Sequence, residues 1–133
     1  MAVEKDLYAY KRTPFMHVFR RLGVDWSTAV FKMQARTAKD SASADVDLSN
    51  AAAGVQGISA VYDPNYIHPE TNAVVGATTI TVFIAEATLE GLTPASPAND
   101  NKVYLYDLHA TPAGDIKRVV SFGTFTVDPG VTQ

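Results

Sequence analysis

The chain has 133 residues, 47% of them hydrophobic and 19% charged, which suits one folded domain with a real core and is too apolar for disorder. A net charge of −3 leaves no global field to recruit nucleic acid or a membrane surface. With no cysteine, disulfides, thiolate catalysis and cysteine–zinc sites are all excluded.

The opening MAVEKDLYAYKR is charged where the apolar stretch of a signal peptide would begin. No run approaches the roughly 18 apolar residues that cross a bilayer. A chain that is soluble and intracellular at synthesis, with no membrane partner, is therefore expected. Leu7-Tyr8-Ala9-Tyr10 is a short β-prone run, ended by Lys11, Arg12 and a Thr13-Pro14 turn. Residues 15–21 suit either a strand or one to two amphipathic helical turns; the strand is favoured, with Phe15, His17 and Phe19 on one side and Met16, Val18 and Arg20 on the other. Gly23-Val24-Asp25 turns the chain into Trp26.

Residues 29–36 alternate cleanly. Phe31, Met33 and Ala35 fall on one face, and Lys32, Gln34 and Arg36 on the other, as in a half-buried antiparallel strand. Residues 39–53 are small and polar and read as a loop, its middle pinned by Val46 and Leu48. Residues 55–62 form the next expected strand, stopped at Asp63-Pro64-Asn65 because proline cannot donate to a ladder. Residues 66–73 are a second loop. Residues 74–84 (VVGATTITVFI) are the strongest strand, with Thr78, Ile80, Val82 and Ile84 sharing a face.

Residues 85–92 suit one short helix ended by Gly91, and the two prolines of residues 93–101 mark an exposed loop. Residues 103–132 then spell a hairpin: an alternating run, a Pro-Ala-Gly-Asp turn, a second alternating run and an Asp-Pro-Gly stop. Roughly seven short strands separated by turn signals predict an all-β fold. The expected form is a single antiparallel β-sandwich, immunoglobulin-like, with at most one short helical turn. Residues 1–22 are expected to form an N-terminal arm with the first strands, a docking segment. Residues 23–133 form the sandwich proper, and the whole is one domain.

No catalytic set emerges. His17, His68 and His109 lie far apart, without metal-ligand spacing, and read as surface imidazoles. His109 and Asp107 share a strand face as an orienting pair, but no nucleophile elbow accompanies them. Asp40, Asp45 and Asp47 crowd one loop without the glycine and terminal glutamate of a calcium loop, so a solvated loop is the reading. Glu86 and Glu90, one helical turn apart, are a solubility pattern and not an acid/base pair. No phosphate loop is present. No catalytic residue, cofactor or metal is expected.

Charge is uneven along the chain. Residues 1–50 hold eight Lys and Arg against six acids, while residues 51–133 hold three against eight. Lys11, Arg12, Arg20 and Arg21 form the one basic group of note, interleaved with Tyr8, Tyr10, Phe15 and Phe19. With Lys32 and Arg36 they make the expected interface, suited to an acidic protein neighbour in preference to nucleic acid. Tyr62, Tyr66, Tyr104 and Tyr106 open a different reading, a sugar site lined by aromatic faces.

Two stretches resemble a known family. One is Asp25-Trp26-Ser27 leading through Ala29-Val30-Phe31-Lys32-Met33-Gln34-Ala35-Arg36 to Asp47-Leu48. The other is Tyr106-Asp107-Leu108, then Gly114, Arg118, Gly123-Thr124-Phe125-Thr126-Val127 and Pro129-Gly130-Val131-Thr132. Together they resemble small β-sandwich structural proteins of tailed bacteriophages and prophages, of the tail, baseplate or fibre-attachment type. The resemblance covers most of residues 23–132 and is less clear over 1–22. It implies a non-enzymatic virion protein that docks between other virion proteins, in several copies or as a homo-oligomer. A capsid decoration or neck protein is the alternative within that class. A carbohydrate-binding β-sandwich module is the alternative from another.

Overall fold

The computed structural model describes residues 2–95 and 100–130. Among the described residues, nine strands and one short helix follow in chain order: β1 (Val3–Glu4), β2 (Leu7–Tyr10), β3 (Phe15–Leu22), β4 (Val30–Arg36), β5 (Val46–Ser49), β6 (Gly57–Asp63), β7 (Ala77–Ile84), α1 (Glu86–Glu90), β8 (Lys102–Thr111) and β9 (Arg118–Asp128). They build two sheets. One runs β9-β8-β4-β5 with β1 and β2 both on the outer side of β9, and the other runs β3-β7-β6. That order, with a strand added beside β4, is the immunoglobulin-type arrangement.

The alternation read from the sequence decides which side chains meet between the sheets. Phe31, Met33 and Ala35 of β4 face Thr78, Ile80, Val82 and Ile84 of β7, all fully buried. Tyr104, Leu108 and Phe125 from the closing hairpin complete the centre. Phe125 meets Phe15 edge-on at 5.3 Å between ring centroids, a contact that ties β9 of one sheet to β3 of the other.

Two polar devices hold the crossings, one of them, Thr78, fully buried. The Thr78 hydroxyl accepts from the Trp26 amide at 2.9 Å and donates to the Val24 carbonyl at 2.7 Å. The Asn50 side chain accepts from the Phe31 amide at 2.6 Å and donates to the Ala29 carbonyl at 2.9 Å. Asn50 thereby fixes the point where the chain leaves β5 for β6. Each bond satisfies a backbone group that would otherwise be stranded beside the core.

Four details differ from the sequence reading. The 39–53 segment is not all loop: Val46 and Leu48 pair with Ala35 and Met33 as β5. Two apolar residues at i and i+2 suffice once a central strand supplies the other half of the ladder. The sandwich is not wholly antiparallel either, since β1 and β2 run parallel to β9. The strands begin later than expected, at Gly57 and Ala77, because Gly57 and Gly76 hold positive φ and bend the chain into them. Gly91 ends the helix in a right-handed conformation (φ −78°), donating to the Ala87 carbonyl, not in a left-handed cap.

The closing hairpin forms as expected, with a bulge between Leu108 and His109 that shifts the register of β9. Residues 96–99 of the proline-containing loop and the final 131–133 lie outside the described residues. The N-terminal segment is tied in by hydroxyls. Tyr106 donates to the Lys5 carbonyl, Ser121 donates to the Val3 carbonyl, and the two hydroxyl oxygens lie 2.9 Å apart.

Candidate docking surfaces

The six basic residues singled out from the sequence do not form one patch. Lys11 and Arg12 occupy the β2–β3 turn and serve the fold: Lys11 Nζ donates to the Leu92 carbonyl at 2.9 Å. Arg12, held at φ 74°, meets the Glu90 carboxylate through its amide at 2.7 Å and its guanidinium at 2.6 Å. Glu90, read as a solubility residue, is thus the anchor of that turn. Arg20 and Arg21 lie at the far end of β3, roughly 20 Å away at strand spacing. They face opposite ways. Arg20 points outward over the Tyr66 ring at 5.1 Å, and Arg21 points inward over the Trp26 ring at 5.1 Å. Burial and the nearby Arg118 charge lower the Arg21 pKa.

Lys32 and Arg36 do share a surface, the outer face of the six-stranded sheet. Its rows follow from the register. Glu4, Phe122, Asp107, Gln34 and Asp47 stand side by side across β1, β9, β8, β4 and β5. Thr124, Leu105 and Arg36 form one neighbouring row, and Val119, His109, Lys32 and Ser49 the other. A groove of about 720 Å³ runs over this face, rimmed by Ala2 and Glu4 on one side and by Ala38 and Lys39 on the other. Its floor is apolar at Leu105, Val119 and Phe122, with Phe122 41% exposed.

Polar groups ring that floor. Lys32 Nζ lies 2.6 Å from Asp47, whose carboxyl is held below the usual range mainly by that contact. The Arg36 guanidinium donates to Gln34 Oε1 and to the Ser41 carbonyl. His109 Nε2 lies 3.6 Å from Asp107, so the pair expected on one strand face is present. Among the described residues no three His, Asp or Glu side chains converge as metal ligands would.

The outer face of the three-stranded sheet is flatter and more apolar. Its rows are Met16–Phe83–Gly57, Val18–Thr81–Ser59, Arg20–Thr79–Val61 and Leu22–Ala77–Asp63. Met16 is 65% and Val61 67% exposed.

A third feature is the cleft of about 350 Å³ between β2 and β3, edge strands of the two sheets, lined by residues 5–10 and 13–17. His17 lies on it, its ring 4.6 Å from Phe19. Burial, aided by the Lys5 charge, lowers the His17 pKa. The unfolded chain therefore takes up this proton first as pH falls below about 6.5, and stability present above that pH is lost below it. Asp6 and Asp47 are also depressed, Asp6 chiefly by accepting the Thr124 amide. Their contribution is lost at lower pH, from about 4 downward, and solvent screening keeps it small. The urea midpoint is accordingly expected to fall in two steps on acidification. The His17→Gln variant should keep the lower step and lose the upper one; an unchanged upper step would assign it elsewhere.

The tyrosines proposed for a sugar site are committed to packing. Tyr104 and Tyr106 are buried, Tyr62 packs its ring where a side chain at Gly76 would stand, and Tyr66 lies under Arg20. Phe122, Leu105 and Val119 were the residues the sequence left unmarked. Their one signal was that β9 carries apolar residues at both parities, which reads as a strand buried on both faces. Comparison with family models and with curated proteins finds no match for this chain.

Proposed function

We propose that this chain is a structural component of a tailed-phage virion, a β-sandwich that docks between tail, baseplate or fibre-attachment proteins. The observation that carries a docking role is the outer face of the three-stranded sheet. A sandwich free in solution covers such a face with charge, as alternation usually dictates. Here Met16, Val18, Leu22, Val61 and Phe83 share it with only Arg20 and Asp63 as charged residues in the paired rows. At strand spacing the face measures about 350 Å², with the polar residues Ser59, Thr79 and Thr81 included. The resemblance of residues 23–132 to phage structural proteins supplies the virion context. Arg20 leaves one cation beside the apolar rows, suited to an acidic rim on the neighbour.

Purified particles from a host expressing the tagged gene should contain the protein at a fixed copy number by mass spectrometry. Met16→Lys with Val61→Lys should remove it from particles at least tenfold, with melting temperature within a few degrees of the parent, because both side chains already face water. Particles that lack the parent protein would overturn the virion reading. Unchanged incorporation of the double variant would move docking away from this face.

A further inference from the structure

We infer that the open edge of β3 accepts an extended segment of a neighbouring protein, which joins the three-stranded sheet as a further strand and carries a carboxylate beside Arg20. The added strand names the mode of attachment within the docking role proposed above and rests on it to that extent.

Both N-terminal strands join β9 in the other sheet, so among the described residues β3 pairs with β7 alone. The register shows which peptide groups this leaves open. The Gly23 amide donates to the Gly76 carbonyl at 2.9 Å, one step beyond the Leu22–Ala77 pair. Antiparallel partners exchange bonds at every second pair, so Phe15, His17, Phe19 and Arg21 bond to β7. Met16, Val18, Arg20 and Leu22 turn their amides and carbonyls the other way. Among the described residues no bond from another element reaches those groups.

Such a row is a template for strand addition unless short length, proline, a bulge or charge protects it. The other edges are short or covered: β2 and β5 span four residues each, and Asn50 bridges β6 at Ile58. By contrast β3 runs eight residues in unbroken register, about 27 Å, without proline or glycine. Its inward side chains are also under-covered. His17 and Phe19 face the other sheet yet stay half-exposed, whereas Val82 and Ile80, their partners on β7, are fully buried. An added strand would close the cleft of about 350 Å³ that His17 lines, with alternate residues turned inward. Its other residues would widen the apolar face of Met16, Val18 and Leu22.

Charge selects a foreign segment over a second copy. Asp6, the acid that faces Lys5, is engaged by the Thr124 amide at 3.1 Å. Neither Lys5 nor Arg20 has an ion pair among the described residues. Pairing β3 with β3 of a second copy, in the register that engages all the open residues, sets the two Arg20 side chains diagonally, about 7–8 Å apart on one face. Like charges oppose that arrangement, whereas a carboxylate on an incoming segment is drawn to Arg20.

Hydrogen exchange on the full chain, read residue by residue by NMR, tests the edge first. In dilute solution the amides of Met16, Val18, Arg20 and Leu22 should exchange about tenfold faster, or more, than those of His17, Phe19 and Arg21. The probe is a synthetic peptide of about nine residues, alternating valine and threonine with an aspartate at each end. At roughly millimolar concentration it should slow exchange at those open amides. The same peptide N-methylated at alternate residues should not. Val18→Pro removes an open amide and no β7 bond, so it should melt within a few degrees of the parent, lose the peptide and leave particles. Val18→Thr should retain all three properties. Arg20→Glu, which leaves the backbone untouched, should weaken the peptide about fivefold.

Four open amides already protected in the dilute chain overturn the pairing, as do a peptide without effect and an N-methylated peptide equally effective. Protection that grows with protein concentration, together with the mass of two chains by light scattering, overturns it in favour of a second copy. If Val18→Pro does not fold, unchanged peptide binding by Arg20→Glu overturns the charged partner. Peptide pairing by a chain absent from particles would keep the edge and remove the virion reading. A parent found in particles that Val18→Pro does not release would do the reverse.

Discussion

Phe125→Ala is expected to lower stability by about 3–5 kcal/mol, the cost of removing a large aromatic from a closed core. Phe125 is fully buried in β9, the strand that pairs with β8 on one side and with both N-terminal strands on the other. Its ring meets Phe15 of the facing sheet edge-on at 5.3 Å and lies 6.4 Å from Tyr104. Truncation leaves a void that neither neighbour can fill without leaving its own rotamer. A denaturant titration measures the loss directly, and Phe125→Leu should recover more than half of it. A loss below about 1 kcal/mol for the alanine variant would mean that this contact does not join the sheets.

Gly57→Ala should be nearly as damaging, although it adds one methyl group. Gly57 opens β6 at φ +137°, a conformation that L side chains rarely adopt. An added Cβ would stand 2.5 Å from the Ser49 carbonyl oxygen and 2.6 Å from the Ala51 methyl. Both belong to the segment by which Asn50 pins the crossing between sheets. Strain and clash together imply a cost of about 3 kcal/mol or more. Gly54→Ala is the matched control. It also has positive φ (+81°), but nothing lies within 4 Å of its Cβ position, so about 1 kcal/mol is expected. Equal losses at the two sites would refute the steric account.

Much of the sandwich was legible in the chain because its information is local. The alternation of residues 29–36 assigned Phe31, Met33 and Ala35 to the core, and the β-branched run before Ile84 assigned the strand opposite them. The Pro-Ala-Gly-Asp turn announced the last hairpin. The parallel pairing of β2 on β9 left no such trace. Tyr8 and Thr126 are partners across most of the chain, and no spacing in either neighbourhood encodes the other. β5 was hidden for the related reason that only its partner makes two apolar residues a strand.

The candidate surfaces were half legible. Lys32 and Arg36 could be placed on an outward face from their parity in β4. Neighbours in sequence misled at the β3 end, where Arg20 and Arg21 point to opposite sides because successive strand residues do. Phe122 is outward by simple alternation from the buried Phe125, but Val119 joins it on that face only because of the register shift between Leu108 and His109, and a bulge has no reliable sequence signature.

The parallel course of β2 beside β9 also fixes how the molecule meets a mechanical load. Ala2 and Gly130 leave the sheet near opposite ends of the strand axis, so a pull between them slides β2 along β9. The ladder from Leu7–Phe125 to Tyr10–Asp128 is then sheared as a set, and its bonds must fail together instead of one after another. The Tyr8 hydroxyl donating to Asp128 at 2.9 Å reinforces the same seam. Tension applied across the two ends is carried along the sheet's stiff direction, as a lap joint carries it.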